Sequence, residues 1–244
     1  MAMDDDFGDD PYGDDIIADY ADNPAPRLPC VLIVDGSGSM AGEPIKQLNE
    51  GLKKFAEEIK SDAQAAVSAR IKIIRVGGER PDVLTDWTDA IDFTAPTVVA
   101  GGGTPLGAGI ALAMQEIDAE KRRLDAADIL RKRAWLFVLT DGQPTDGNWK
   151  AQAAACKQAE LEGKVSVFPI GVDGANMTEL AELTDKREPR HISNGNFSQF
   201  FLWLSKSISA GSRAVVDEAE TPASGLPSSN QQTPVADNWL GIYD

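Results

Sequence analysis

A chain of 244 residues with 42% hydrophobic side chains is long enough for one large domain with its own core, plus tails. Its 39 acidic against 23 basic residues, a formal net charge of −16, argue against a general nucleic-acid binder, which needs a basic footprint, and suit a cationic partner surface. Two cysteines, no basic-then-apolar start and no apolar run near the ~18 residues that cross a bilayer lead to the expectation of a cytoplasmic protein with buried thiols and no membrane span.

Residues 1–26 hold nine aspartates and no Lys or Arg, so a disordered, solubilising acidic leader is expected there; a partner-binding segment that docks through Ile16, Ile17 and Tyr20 is the second reading. Pro24, Pro26 and Pro29 close it. The continuous apolar run Cys30–Val34 suits a central parallel strand covered on both faces, and it stops at Asp35 before the loop Gly36-Ser37-Gly38-Ser39. Ile45, Leu48, Leu52, Phe55 and Ile59 recur every three or four residues and predict a helix, with Pro44 in its first turn. Ile71–Val76 reads as the next strand, Gly77-Gly78 as its turn, and Val83-Leu84 as a short edge strand.

Residues 87–103 are expected to be mostly loop, ending in Gly101-Gly102-Gly103-Thr104-Pro105. Leu106, Ile110, Ala113 or Met114, and Ile117 mark one face of the following helix. Lys121, Arg122 and Arg123, then Arg131, Lys132 and Arg133, read as its solvated end and connector, where cations suit the helix dipole; docking of the acidic leader is the second reading. Trp135–Leu139 is the second clear buried strand, and it runs into the polar loop Thr140–Gly147. A helix over 149–162, a strand over 165–170, a short helix over 177–183, a strand at His191-Ile192 and an amphipathic helix from Phe197 through Ile208 complete the domain. Residues 211–244 read as a polar flexible tail with an apolar plug, Trp239–Tyr243. The alternation predicts an open, mostly parallel, doubly wound sheet in a three-layer α/β/α domain over 27–210.

Asp35, Ser37 and Ser39 stand at offsets of two after a buried strand, so their oxygens can point to one side. Oxygen-only donors of this kind match a hard cation, chiefly magnesium, with manganese or calcium also admissible. Thr104 and Asp141 are candidates to converge with them, because ligands of open α/β sheets bind at the carboxyl ends of strands. Asp35-Gly36-Ser37-Gly38-Ser39 resembles the metal-ion-dependent adhesion site of von Willebrand factor type A domains. The resemblance covers about residues 27–210 and makes Ser37, Ser39 and Thr104 direct ligands, with Asp35 and Asp141 acting through waters or hydroxyls. It leaves one coordination position for a partner's Asp or Glu. Gly36 stands where the family usually has Thr, which implies a looser loop that still binds.

Five segments, Arg27-Leu28-Pro29, Ser39–Ile45, Gly103–Gly107, Leu139–Gly142 and Phe201–Ser205, resemble the bacterial TerY-like branch, associated with tellurium-resistance and stress gene clusters beside a protein kinase and a phosphatase. The implied role is metal-dependent protein binding without catalysis. The sole histidine, His191, falls late and near a predicted sheet edge, Gly-Gly-Gly-Thr lacks the lysine of a phosphate loop, and the cysteines lack metal-ligand spacing. Three alternatives remain open at this level: a metal-assisted phosphohydrolase, a scaffold with a vestigial site, and a kinase or phosphatase substrate carrying Thr221, Ser224, Ser228 and Ser229.

Overall fold

The computed structural model describes Asn23 and residues 25–141, 143–193 and 196–213. The expected leader apart from Asn23, Ala25 and Pro26, the tail beyond Arg213 and its Trp239–Tyr243 plug lie outside the described residues.

The first apolar run becomes β1, Leu28–Asp35, with all eight residues buried. It pairs in parallel with β2, Ala69–Val76, on one side and with β4, Ala134–Thr140, on the other. β3, Asp82–Asp89, lies antiparallel on the outer side of β2, and β5, Val165–Val172, and β6, Arg190–Ile192, extend the other half in parallel. The order is β3-β2-β1-β4-β5-β6, a mixed but mostly parallel sheet.

Helices cover both faces because successive strand residues point opposite ways and both sets are apolar. Leu28, Cys30, Leu32 and Val34 face the helices α1, Glu43–Ser61, and α6, Phe197–Arg213. Val31 and Ile33 face α3, Leu106–Ala126, and α4, Trp149–Leu161. The three-layer α/β/α expectation therefore holds.

Helix ends follow local chemistry. Pro44 sits in the first turn of α1, and α4 stops before Gly163, whose φ of 76° suits a residue without Cβ. Of the basic run, Lys121 and Arg122 form a solvated helix end, whereas Arg123 faces the buried Glu120 and the half-buried Arg131 and Lys132 of the connector bond to Asp125 and to the Gly211 and Ser212 carbonyls of α6. Met177–Leu180, α5, continues as a 3₁₀ turn over Ala181–Leu183.

Three elements differ from expectation. β3 spans eight residues rather than a short stretch near Val83, and so takes 87–89 out of the expected loop. Its aspartates are matched to cations buried in β2: Arg70 to Asp89 at 2.7 Å and Lys72 to Asp86 at 2.6 Å. A helix the periodicity did not reveal, α2 (Ala63–Ser68), links α1 to β2 and is capped by Asp62. Helix α6 runs three residues past the expected boundary at 210.

Candidate metal centre

Asp35 is the last residue of β1 and Asp141 follows the last residue of β4. These strands are neighbours at the centre of the sheet. The chain leaving β1 crosses one face through α1, and the chain leaving β4 crosses the other through α4, so a crevice opens between their carboxyl ends.

Four of the five expected side chains meet there in one hydrogen-bonded series. The Ser37 backbone N–H donates to Asp35 Oδ1 at 2.8 Å, and the Thr140 hydroxyl donates to Asp35 Oδ2. The Ser37 and Ser39 hydroxyls lie 2.9 Å apart, and Ser39 Oγ donates to Asp141 Oδ1 at 2.9 Å. Ser37 and Ser39 are brought together by a 3₁₀ turn, Gly38–Met40, which Met40 anchors by burying its side chain in the core on the α1 side. Asp35 is 1% exposed and Ser37 2%, whereas Ser39 faces solvent, so the series runs from the core to the surface. Burial, and then the neighbouring Asp35 charge, push the Asp141 carboxyl above its ordinary value, although the Ser39 hydroxyl pulls the other way.

Thr104 joins through the backbone. The Gly38 N–H donates to Gly102 O at 2.9 Å and the Gly101 N–H to Gly36 O at 2.8 Å, pinning the glycine-rich loop to the serine loop. Thr104 itself is 4% exposed and exchanges two bonds with Thr145, from its own N–H to Thr145 Oγ1 at 3.0 Å and from the Thr145 N–H to its carbonyl at 2.9 Å.

Sequence reasoning missed several supporting groups. Thr140 holds Asp35, and Asp146 accepts from the Gly107 and Ala108 N–H groups at 3.1 and 2.7 Å, satisfying the open start of α3 from the loop after β4. The partners are 38 to 105 residues apart, so no local spacing reveals them. The expected looseness at Gly36 needs correction: a Cβ there would lie 2.8 Å from Arg75 Cδ, so the space is taken. His191 sits on β6, separated from β1 by β4 and β5, with Ser193 at 3.1 Å and Asp173 at 3.6 Å. Cys30 and Cys156 are buried, and burial raises both thiols, that of Cys156 to about 12.

Among the described residues no three His, Cys, Asp or Glu side chains gather as a metal-holding group. The donors gathered here are two carboxylates and hydroxyls, a set suited to small hard cations rather than to zinc or copper. No helix of the described residues is long and apolar enough to cross a membrane.

The model of the von Willebrand factor type A domain matches residues 30–201. Inter alpha-trypsin inhibitor, heavy chain 4, of Mus musculus is 27% identical over 152 residues, which cover 58% of this chain and 15% of the relative. The chain thus spans only a small part of that protein. Among solved structures, the pilus adhesin SpaC from Lactobacillus rhamnosus GG in its open conformation superposes with a TM-score of 0.60 at 15% identity, over 77% of this chain and 31% of that one. The vWF domain of the type V pili tip protein Mfa5 from Porphyromonas gingivalis gives 0.56 at 12% identity, over 78% and 98%. At such identities the superpositions establish the fold alone. With the family model covering most of the chain and the six-stranded sheet agreeing with it, the chain belongs to the von Willebrand factor type A domain family.

Proposed function

We propose that this protein is a divalent-metal-dependent protein-binding module without catalytic activity, in which Ser37, Ser39 and Thr104 hold the ion and Asp35 and Asp141 support it through waters or hydroxyls. The observation that carries this reading is the series from Asp35 through Ser37 and Ser39 to Asp141. Two carboxylates and two hydroxyls are drawn together at one end of the sheet, and one of the carboxyls is held above its ordinary value by burial and by the other. A cation would relieve that repulsion, and its open coordination position would take a partner's Asp or Glu as a charge-assisted contact. Magnesium is the proposed ion, with manganese and calcium as substitutes.

The finer assignments, to the TerY-like branch and to a tellurite-resistance or stress system with kinase and phosphatase partners, rest on the short segments quoted above, and assignment to the cytoplasm rests on the low cysteine count; all are part of the same proposal.

The test is capture of partners from native cell extract on immobilised full-length protein, in magnesium and then in EDTA. A partner retained in magnesium should be released by EDTA and should not be retained by Asp35→Ala. Equal retention in all three conditions overturns the metal bridge.

A further inference from the structure

Beside the serine loop lies a cation that none of the five site residues accounts for. Arg75, next to last in β2, turns its stem across the backbone of Gly36, where an added Cβ would sit 2.8 Å from Arg75 Cδ, 2.9 Å from Cγ and 3.0 Å from Val99 O. Its guanidinium donates from Nη1 to Val99 O at 3.0 Å and from Nη2 to Asp82 on β3. One side chain therefore lies against the serine loop at Gly36, bonds the backbone of the segment leading into the glycine-rich loop at Val99, and pairs with the Asp82 carboxylate of the edge strand.

Backbone bonds join the same pieces. Gly36 N–H donates to Val76 O at 2.7 Å, and Gly101 N–H donates to Gly36 O at 2.8 Å. The turn after β2 closes the stack. A Cβ on Gly77 would strike the Gly36 carbonyl and one on Gly102 would strike Gly78, while Gly78 bridges to both Gly102 and Gly103. Backbone packs on backbone at Gly77 and Gly102, which leaves no room for a side chain at those two positions, and Arg75 lies along the edge of the stack at Gly36.

We propose that Arg75 is a positioning residue for the metal centre: its stem fills the volume a side chain at position 36 would occupy, and its guanidinium ties the Val99 segment so that the loop carrying Thr104 stays registered against the loop carrying Ser37 and Ser39. It does not touch the ion. This rests on the metal-centre reading above, and it carries a signature of its own. Position 36 and position 75 share one volume, so enlarging one and shrinking the other should compensate.

The experiment uses the full chain as wild type, Gly36→Thr, Arg75→Ala and the double variant, with Mn²⁺ affinity measured by electron paramagnetic resonance of the free ion. Displacing a group that orients ligands typically weakens metal affinity roughly 10- to 100-fold. Each single variant should therefore lose about tenfold, and the double should lose clearly less than the product of the two, because the shared volume is refilled while the tie to Val99 is not. A purely structural role would lower the metal-free melting temperature of each variant but would not predict this partial recovery. Wild-type affinity in either single variant, or a double variant whose loss is the product of the two singles, overturns the proposal.

If wild type shows no Mn²⁺ binding, the metal reading fails and the brace is judged separately by amide exchange. The Gly38 and Gly101 amides should then exchange faster in both single variants and regain protection in the double. Unchanged rates in the singles overturn the brace.

Discussion

Asp35 and Asp141 are both aspartates at strand ends, yet their surroundings set them apart. Asp35 is fully buried and accepts from the Ser37 amide and the Thr140 hydroxyl. Asp141, partly open, has one hydroxyl donor against burial and the Asp35 charge, and its carboxyl titrates high. A group whose folded value lies above its unfolded one binds its proton more tightly in the native state. The metal-free protein is therefore favoured below the unfolded value and loses stability as pH rises through the folded one. Asp141→Asn removes the repelling charge while keeping an acceptor for Ser39. In EDTA at pH 7 it should melt higher than wild type by roughly 2–4 °C, the shift that about 1 kcal/mol gives in a domain of this size. At about pH 3, below the ordinary carboxylate value, the gap should close, because wild type is then protonated too. Thermal melts at the two pH values decide this; a lower melting point for the variant at pH 7 would show that Asp141 is not repelled there.

At the scale of elements, α2 shows how one side chain supports a helix too short to stand alone. Asp62 accepts from the Gln64 and Ala65 amides at 3.1 and 2.9 Å and pairs with Arg213 at the end of α6, so it ties α2 to the helix that closes one face of the sheet. Partial burial alone would raise its carboxyl, but the Ala65 amide, Arg213 and the Gln64 amide together hold it below its ordinary value. Its stabilisation is therefore fully present above the unfolded carboxylate value and is lost as pH falls through the lowered one. Asp62→Ala should cost about 1 kcal/mol, the usual worth of such a cap, whereas Asp62→Asn should cost less at pH 7 because the amide oxygen still caps. Urea denaturation of both variants at pH 7 and pH 3 checks the order and its collapse in acid. The same element explains what the sequence could reveal. Cys30–Val34 and Trp135–Leu139 were legible because a parallel strand buried on both faces must be apolar throughout, and that placed Asp35 and Asp141 correctly at their ends. Ala63–Ser68 is too short to show a helical period. Asp82–Asp89 reads as only a short strand at Val83-Leu84 running into loop, because its acids are paid for by Arg70 and Lys72, cations buried inside an otherwise apolar strand. Thr140 and Asp146 act on residues 38 to 105 positions away, and Arg75 reaches Val99 across 24, and no spacing along the chain carries that information.

Over the whole molecule, the proposed contact asks a protein of net charge −16 to receive a carboxylate. The ion draws that carboxylate in only at short range, whereas the field of the whole chain acts out to about a Debye length, ~10 Å at 0.1 M salt and longer when salt is lower. A partner uniformly acidic around its Asp or Glu would be turned away before reaching the metal, and one whose carboxylate is set among lysines and arginines would be steered in. The residues nearest the site add to this preference, since Asp35 and Asp141 would lie beside the proposed ion and the Arg75 guanidinium is engaged by Val99 O and Asp82. Two peptides isolate the effect: one with a single Asp flanked by lysines, the other with the same Asp flanked by glutamates. In magnesium at low salt the lysine-flanked peptide should associate at least about tenfold faster, within the range that electrostatic steering supplies. Raising NaCl should shrink that advantage toward unity, because screening removes the long-range field but leaves the metal–carboxylate bond. EDTA should abolish stable binding of both. Stopped-flow association across a salt series reads all three effects, and equal rates for the two peptides at low salt would show that the overall charge takes no part in choosing the partner.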